Sequence, residues 1–179
     1  MAGISEPLSE AMASGREYDN STPMRKINAW GPFLMGLLIL SLSFACSKED
    51  RLKVDQELIE NFLAENQIEA ELHSSGLYYR VEEGGSGDES PDINSLVQVG
   101  YTGYLLSGSV FDQSPPGNPP KFLLQNVIRG WQEGIPLFKK GGKGTLYIPS
   151  TLGYGNMQVG PIPPNSVLIF EIELIDFWN

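Results

Sequence analysis

The closing segment Leu168-Ile169-Phe170-Glu171-Ile172-Glu173-Leu174 most constrains the fold. Leu168, Phe170, Ile172 and Leu174 fall on one face, and Glu171, Glu173 and Asp176 on the other. Successive strand side chains point to opposite faces, so this period of two predicts a strand with one apolar and one wet side. Such a strand needs paired neighbours and an apolar layer over its greasy face.

Partners are available upstream. Leu77 to Val81 reads as a strand, and Gly84 to Asp88 as a loop. From Leu96, Val97, Val99, Tyr101 and Leu105 alternate with Gln98, Gly100, Thr102 and Tyr104, which places Tyr101 on the apolar face. Ser107-Gly108 signals a turn into the short strand Val110-Phe111-Asp112. Pro115 to Pro120 is too proline-rich to pair within a sheet, whereas Phe122 to Leu124 and Thr145 to Ile148 are further short strands.

One short helix is expected, from about Arg129 to Leu137. Gly134 and Pro136 weaken it, so packing of Trp131, Ile135 and Phe138 against the sheet must hold it. Many strands and one short helix give an α+β fold, with the helix on one face of an antiparallel sheet. Trp131 heads that helix as a rigid platform, and aromatic and branched residues on separate segments surround it in sequence. Tyr101, Phe111, Asp112, Tyr154, Ile162 and Phe170 are candidates to line one apolar pocket with a few polar groups.

Several chemistries are excluded. A net charge of −10 over 179 residues argues against a nucleic-acid partner. His73 is the single histidine and Cys46 the single cysteine, so no metal site built on these two residue types is available and no internal disulfide forms. Lys139 to Gly144 has the look of a phosphate loop but lacks the hydroxyl residue after the lysine, since Gly144 follows Lys143. No cofactor is implied.

Cys46 follows an apolar run, Trp30 to Ala45, that is preceded by Arg25 and Lys26. A basic start, an apolar middle and small residues at the end make an export signal over 24–45. A cysteine directly behind it resembles a bacterial lipoprotein signal, in which Cys46 is lipidated and becomes the first mature residue. Ser43 stands where Leu is commonest, and an uncleaved anchor is the other reading. Residues 1–23 do not fit a signal peptide and are expected to be a disordered extension or an upstream start assignment. Ser47 to Asp50 reads as a charged tether of the kind behind the lipid site in outer-membrane and surface lipoproteins. This places the protein in the cell envelope, anchored to a membrane by lipid.

Residues 46–76 form the tether and an amphipathic helix, with Val54, Leu58, Ile59, Phe62 and Leu63 inward and Asp55, Glu57, Glu60 and Glu65 in water. Asn66 is a reasonable terminator. The helix either docks on its own domain or serves as a spacer, a dimer contact or a substrate-catching arm.

The domain proper, 77–179, resembles the FKBP-type peptidyl-prolyl cis–trans isomerases. The resemblance rests on an ordered set: Tyr101-Thr102-Gly103, Phe111-Asp112, Val127-Ile128-Arg129-Gly130-Trp131, Tyr154-Gly155, Ile162-Pro163-Pro164-Asn165 and Val167 to Glu171. It implies a curved antiparallel sheet wrapped around the short helix. Trp131 would be the pocket floor, and Tyr101, Phe111 and Phe170 its aromatic walls. Val127 and Ile128 would form the rim, with Ile162 and Tyr154 coming from the loop before the last strand. The backbone N–H of Ile128 and the hydroxyl of Tyr154 would bind carbonyls, and Asp112 would face the twisting amide. The implied substrates are proline-containing polypeptides, and macrolide inhibitors are implied occupants of the same pocket. Pro120 stands where the family carries a wall Phe, with Phe122 out of alignment, and Pro161 stands where it carries an Ile. These departures bear on loop contacts and macrolide affinity, and they support the alternative of a binding module or chaperone with little turnover.

Overall fold

A computed structural model describes residues 48–179. The expected extension 1–23, export signal 24–45 and lipidated Cys46 lie outside the described residues. Among the described residues, no helix is long and apolar enough to cross a membrane.

Helix α1 runs Lys48–Glu65, so Lys48 to Asp50 of the expected tether already belong to its first turn. Glu49 and Asp50 in that turn suit the positive end of the helix. The helix ends where Gln67 turns left-handed at φ 56°. There Ile68 N–H donates to Leu63 O and Gln67 N–H to Ala64 O, a Schellman closure. Its buried side differs from the expected one. Val54 and Leu58 are 45% and 42% exposed, whereas Ile59 and Leu63 are buried and so is Asp55. Counting apolar residues alone turns Asp55 outward; partners far along the chain turn it inward.

The strands are β1 Glu71–Leu72, β2 Tyr78–Glu83, β3 Leu96–Leu105, β4 Val110–Gln113, β5 Lys121–Leu123, β6 Lys143–Ile148 and β7 Leu168–Trp178. They form one seven-stranded sheet in the order β1-β2-β6-β7-β3-β4, with β5 also on β3. Every pairing is antiparallel. The antiparallel sheet expected from the sequence is present, with neighbours that are not sequential in the chain. Helix α2, Arg129–Gly134, continues into a 3-10 turn over Ile135–Leu137. It packs on the face carrying Leu168, Phe170, Ile172 and Leu174, where Trp131, Ile135 and Phe138 join the main core. A Cβ on Gly130 would lie 2.3 Å from Ile148, so only glycine lets α2 approach β6 this closely.

The outer face is not wholly wet. Tyr78, Tyr147 and Ile169 point outward and meet Ile59 and Leu63 of α1 in a second apolar cluster. Burying each aliphatic side chain contributes about 1.5–3 kcal/mol, which docks α1 on its own domain. Farther along the same face, Tyr104 O–H donates to Glu171 at 3.0 Å on the exposed surface.

Candidate active site

A cavity of about 250 Å³ opens between α2 and the sheet. Trp131 sits on the first turn of α2, because Ile128 enters in extended conformation and its carbonyl accepts Trp131 N–H at 2.9 Å. The indole is 5% exposed. Three rings stand edge-on to it: Tyr101 with centroids 5.2 Å apart, Phe170 at 5.3 Å and Phe122 at 5.5 Å. Edge-to-face contacts match the positive edge of one ring to the negative face of another, so the four rings form a stiff frame. Trp131 Nε1 is buried with no partner among the described residues.

The sheet supplies two walls in register. Gly103 of β3 pairs with Phe170 of β7 and with Asp112 of β4. A Cβ on Gly103 would meet the Phe111 ring at 2.6 Å and the Phe170 ring at 3.0 Å. Its absence lets these two rings close edge to face at 5.4 Å. Phe111 thus backs Phe170 and does not itself line the cavity.

The polar groups are few. Tyr101 O–H donates to Asp112 Oδ2 at 2.9 Å. Burial pushes the Tyr101 hydroxyl up to about 12, helped by its bond to Asp112 and by the charges of Asp112 and Tyr154. Burial, then the Asp112 charge, also raises the Tyr154 hydroxyl. Both phenols are therefore neutral donors at physiological pH. Asp112 accepts the Tyr101 hydroxyl, whereas the Tyr154 hydroxyl makes no hydrogen bond to another described residue. Val127 and Ile128 form the rim, and Gln132 Nε2 holds it by donating to Val127 O at 2.8 Å and Gln125 O at 3.1 Å.

Of the nine residues expected at the pocket, Tyr101, Asp112, Val127, Ile128, Trp131, Tyr154 and Phe170 line the cavity. Ile162 does not: it is 4% exposed within the main core. A tight turn with mutual Val159 and Ile162 backbone bonds, at 3.1 and 2.9 Å, folds it inward. Two lining residues were not expected, Asn126 and Phe122. Phe122 is the larger correction. Pro120 does not leave the wall open, because the register Val97 with Phe122 and Gln98 with Lys121 turns the Phe122 ring onto Trp131. The run Phe122-Leu123-Leu124 is apolar throughout, so its sequence does not single out Phe122; the pairing with β3 does. Among the described residues, no group of three or more His, Cys, Asp or Glu could hold a metal ion.

A sheet curled on one short helix, with an indole floor and an acid at the rim, defines a class. The chain belongs to the FKBP-type peptidyl-prolyl cis-trans isomerase family, whose profile matches residues 87–175. Among its relatives, the isomerase FkpA of Buchnera aphidicola is 48% identical over 107 residues, 59% of this chain and 42% of that protein. FkpA of Escherichia coli is 45% identical over 122 residues, 68% of this chain and 44% of that protein. The chain thus spans less than half the length of these relatives. The crystal structure of Escherichia coli FkpA superposes with a TM-score of 0.62 at 37% identity, covering 81% of this chain and 71% of that one. A Pseudomonas syringae peptidyl-prolyl cis-trans isomerase gives 0.61 at 34% identity, covering 74% of this chain and 97% of that one.

Proposed function

We propose that this chain is a peptidyl-prolyl cis–trans isomerase that assists folding of exported proteins in the cell envelope. The reading is carried by Trp131 ringed by Tyr101, Phe122 and Phe170, with Tyr154 and Asp112 as the polar groups of the same cavity. Rotation about a peptide bond meets a barrier of ~18–20 kcal/mol, because resonance keeps the amide planar. Before proline the uncatalysed exchange takes ~10–100 s. No bond breaks, so no nucleophile is required.

The proline ring lies on the indole. The planar amide is more polar than the twisted one, so a water-poor aromatic cavity favours the twisted form in relative terms. The Tyr154 hydroxyl and the Ile128 N–H bind flanking carbonyls and hold the chain while the amide turns. Asp112, fixed by Tyr101, faces the carbonyl carbon–nitrogen unit as charge redistributes. Phe122 completes the wall, which supports turnover over passive binding.

The domain is carried as residues 77–179, behind a signal at 24–45 and a lipid on Cys46 that anchors it to a membrane, the outer membrane by the residues behind the cysteine. Each buried methylene adds ~0.8 kcal/mol, so several acyl chains hold firmly. Macrolides that bury an apolar ring against Trp131 compete for the same cavity. The test is proline-peptide exchange followed by NMR. We expect Trp131→Ala and Tyr154→Phe to slow it; a wild-type rate equal to buffer refutes the assignment.

A further inference from the structure

Helix α1 contributes no residue to the cavity, yet it holds the loop that does. Asp55 is fully buried and Ser150 is 1% exposed. Asp55 Oδ2 accepts Ser150 N–H at 2.9 Å and Ser150 O–H at 2.6 Å. Its Oδ1 is paired with Arg51. A buried carboxylate is tolerated only when its oxygens are so engaged.

The bonds continue around a closed circuit. Ser150 O accepts Gly155 N–H at 2.8 Å, and Gly155 O accepts Asn165 N–H at 2.7 Å. Arg51 Nη2 donates to Asn165 O at 2.9 Å, which returns the circuit to Asp55. Gly155 and Asn165 are both left-handed, at φ 61° and 58°, so the loop is sharply bent at both ends of its base. Tyr154 stands directly before Gly155, inside this ring of contacts.

We propose that Arg51 and Asp55 are positioning residues for Tyr154: together they clasp both ends of the loop 150–165 and set where that hydroxyl meets the substrate. The role in turnover rests on the isomerase reading; the clasp itself does not. A contiguous network of polar contacts, buried at Asp55 and Ser150 and reaching the surface at Asn165, transmits such placement, and a double-mutant cycle measures it.

The full chain is assayed for proline-peptide exchange as wild type, Asp55→Ala and Arg51→Gln, each with and without Tyr154→Phe. Tyr78→Phe is the control, because it removes only the bond from Tyr78 O–H to Glu60 on the same helix. We expect Asp55→Ala to lower kcat/KM about tenfold, and less than about twofold once Tyr154 is Phe, as coupled residues behave. Tyr78→Phe should leave the rate near wild type. In parallel, amide hydrogen exchange at Gly155 and Asn165 should accelerate in Asp55→Ala and Arg51→Gln, with Val99 in β3 unchanged. An undiminished Asp55→Ala effect in the Tyr154→Phe background overturns the positioning role, as does an equal loss in Tyr78→Phe. Should the wild type show no turnover, the isomerase reading fails; unchanged protection of Gly155 and Asn165 then separately removes the clasp. If Asp55→Ala does not fold, the partly exposed Arg51→Gln carries the same measurements.

Discussion

The rings of Phe122 and Trp131 meet edge to face, with centroids 5.5 Å apart and planes at 88°. The Phe122 ring also packs tilted against that of Tyr101, with centroids 6.2 Å apart. It therefore joins β5 to the cavity frame, where Pro120 offers no aromatic ring to do so. Pro120 instead gives its carbonyl to Val99 N–H at 3.3 Å and prolongs the pairing that sets the Phe122 register.

Phe122→Ala should consequently cost both stability and rate. A fully buried Phe→Ala costs about 3–5 kcal/mol, so the half-buried Phe122 should cost about 1–2 kcal/mol. Urea denaturation measures the first effect and proline-peptide exchange the second. Phe122→Leu should recover most of the stability but less of the rate, because it fills space without an aromatic edge.

Gly103→Ala tests the contact between the two walls. The new methyl would sit 2.6 Å from Phe111 and 3.0 Å from Phe170. The rings must separate, at about 1–3 kcal/mol for overpacking. We expect a lower denaturation midpoint with an unchanged slope, and weaker binding of a proline peptide. A second change, Phe111→Leu, should relieve part of the loss.

Alkali should weaken the fold through the tyrosines. Tyr101 is pushed up to about 12 by burial first, then by Asp112. Tyr78 is likewise raised to about 12, by burial first and then by its bond to Glu60. In the unfolded chain a tyrosine loses its proton near pH ~10. Above that value the unfolded state binds fewer protons than the folded one, so stability falls as pH rises. The contribution is complete below about pH 10 and is lost towards pH 12. Denaturation at about pH 9 and about pH 11 should show this decline, and Tyr101→Phe should reduce it.

Cys46→Ala addresses the proposed anchor. A chain held by several acyl groups partitions with membranes, and one without them does not. The variant should move from the membrane to the soluble fraction after cell disruption. Continued sedimentation with membranes would show that something other than a lipid on Cys46 retains it.

Much of the architecture is legible in local pattern. The alternation of Leu168, Phe170, Ile172 and Leu174 announces β7, and the weak helix around Trp131 announces its dependence on packing. These features are visible because burial of one face imposes a short repeat on the chain. The ordered motifs from Tyr101 to Glu171 point to the family by resemblance, since they include loop segments such as Tyr154-Gly155 and Ile162-Pro163-Pro164 that follow no repeat.

Three decisions escaped that pattern. Asp55 looks like a solvated helix residue until Ser150, 95 positions away, is folded against it. Ile162 looks like a pocket residue until the turn at Gly160 and Pro161 carries it into the core. Phe122 looks misplaced until β5 pairs with β3 and aims it at the indole. Periodicity tells a chain which residues avoid water, because that preference belongs to each side chain alone. Which polar group meets which, and which ring closes a wall, belongs to pairs, and only the folded backbone brings those pairs together.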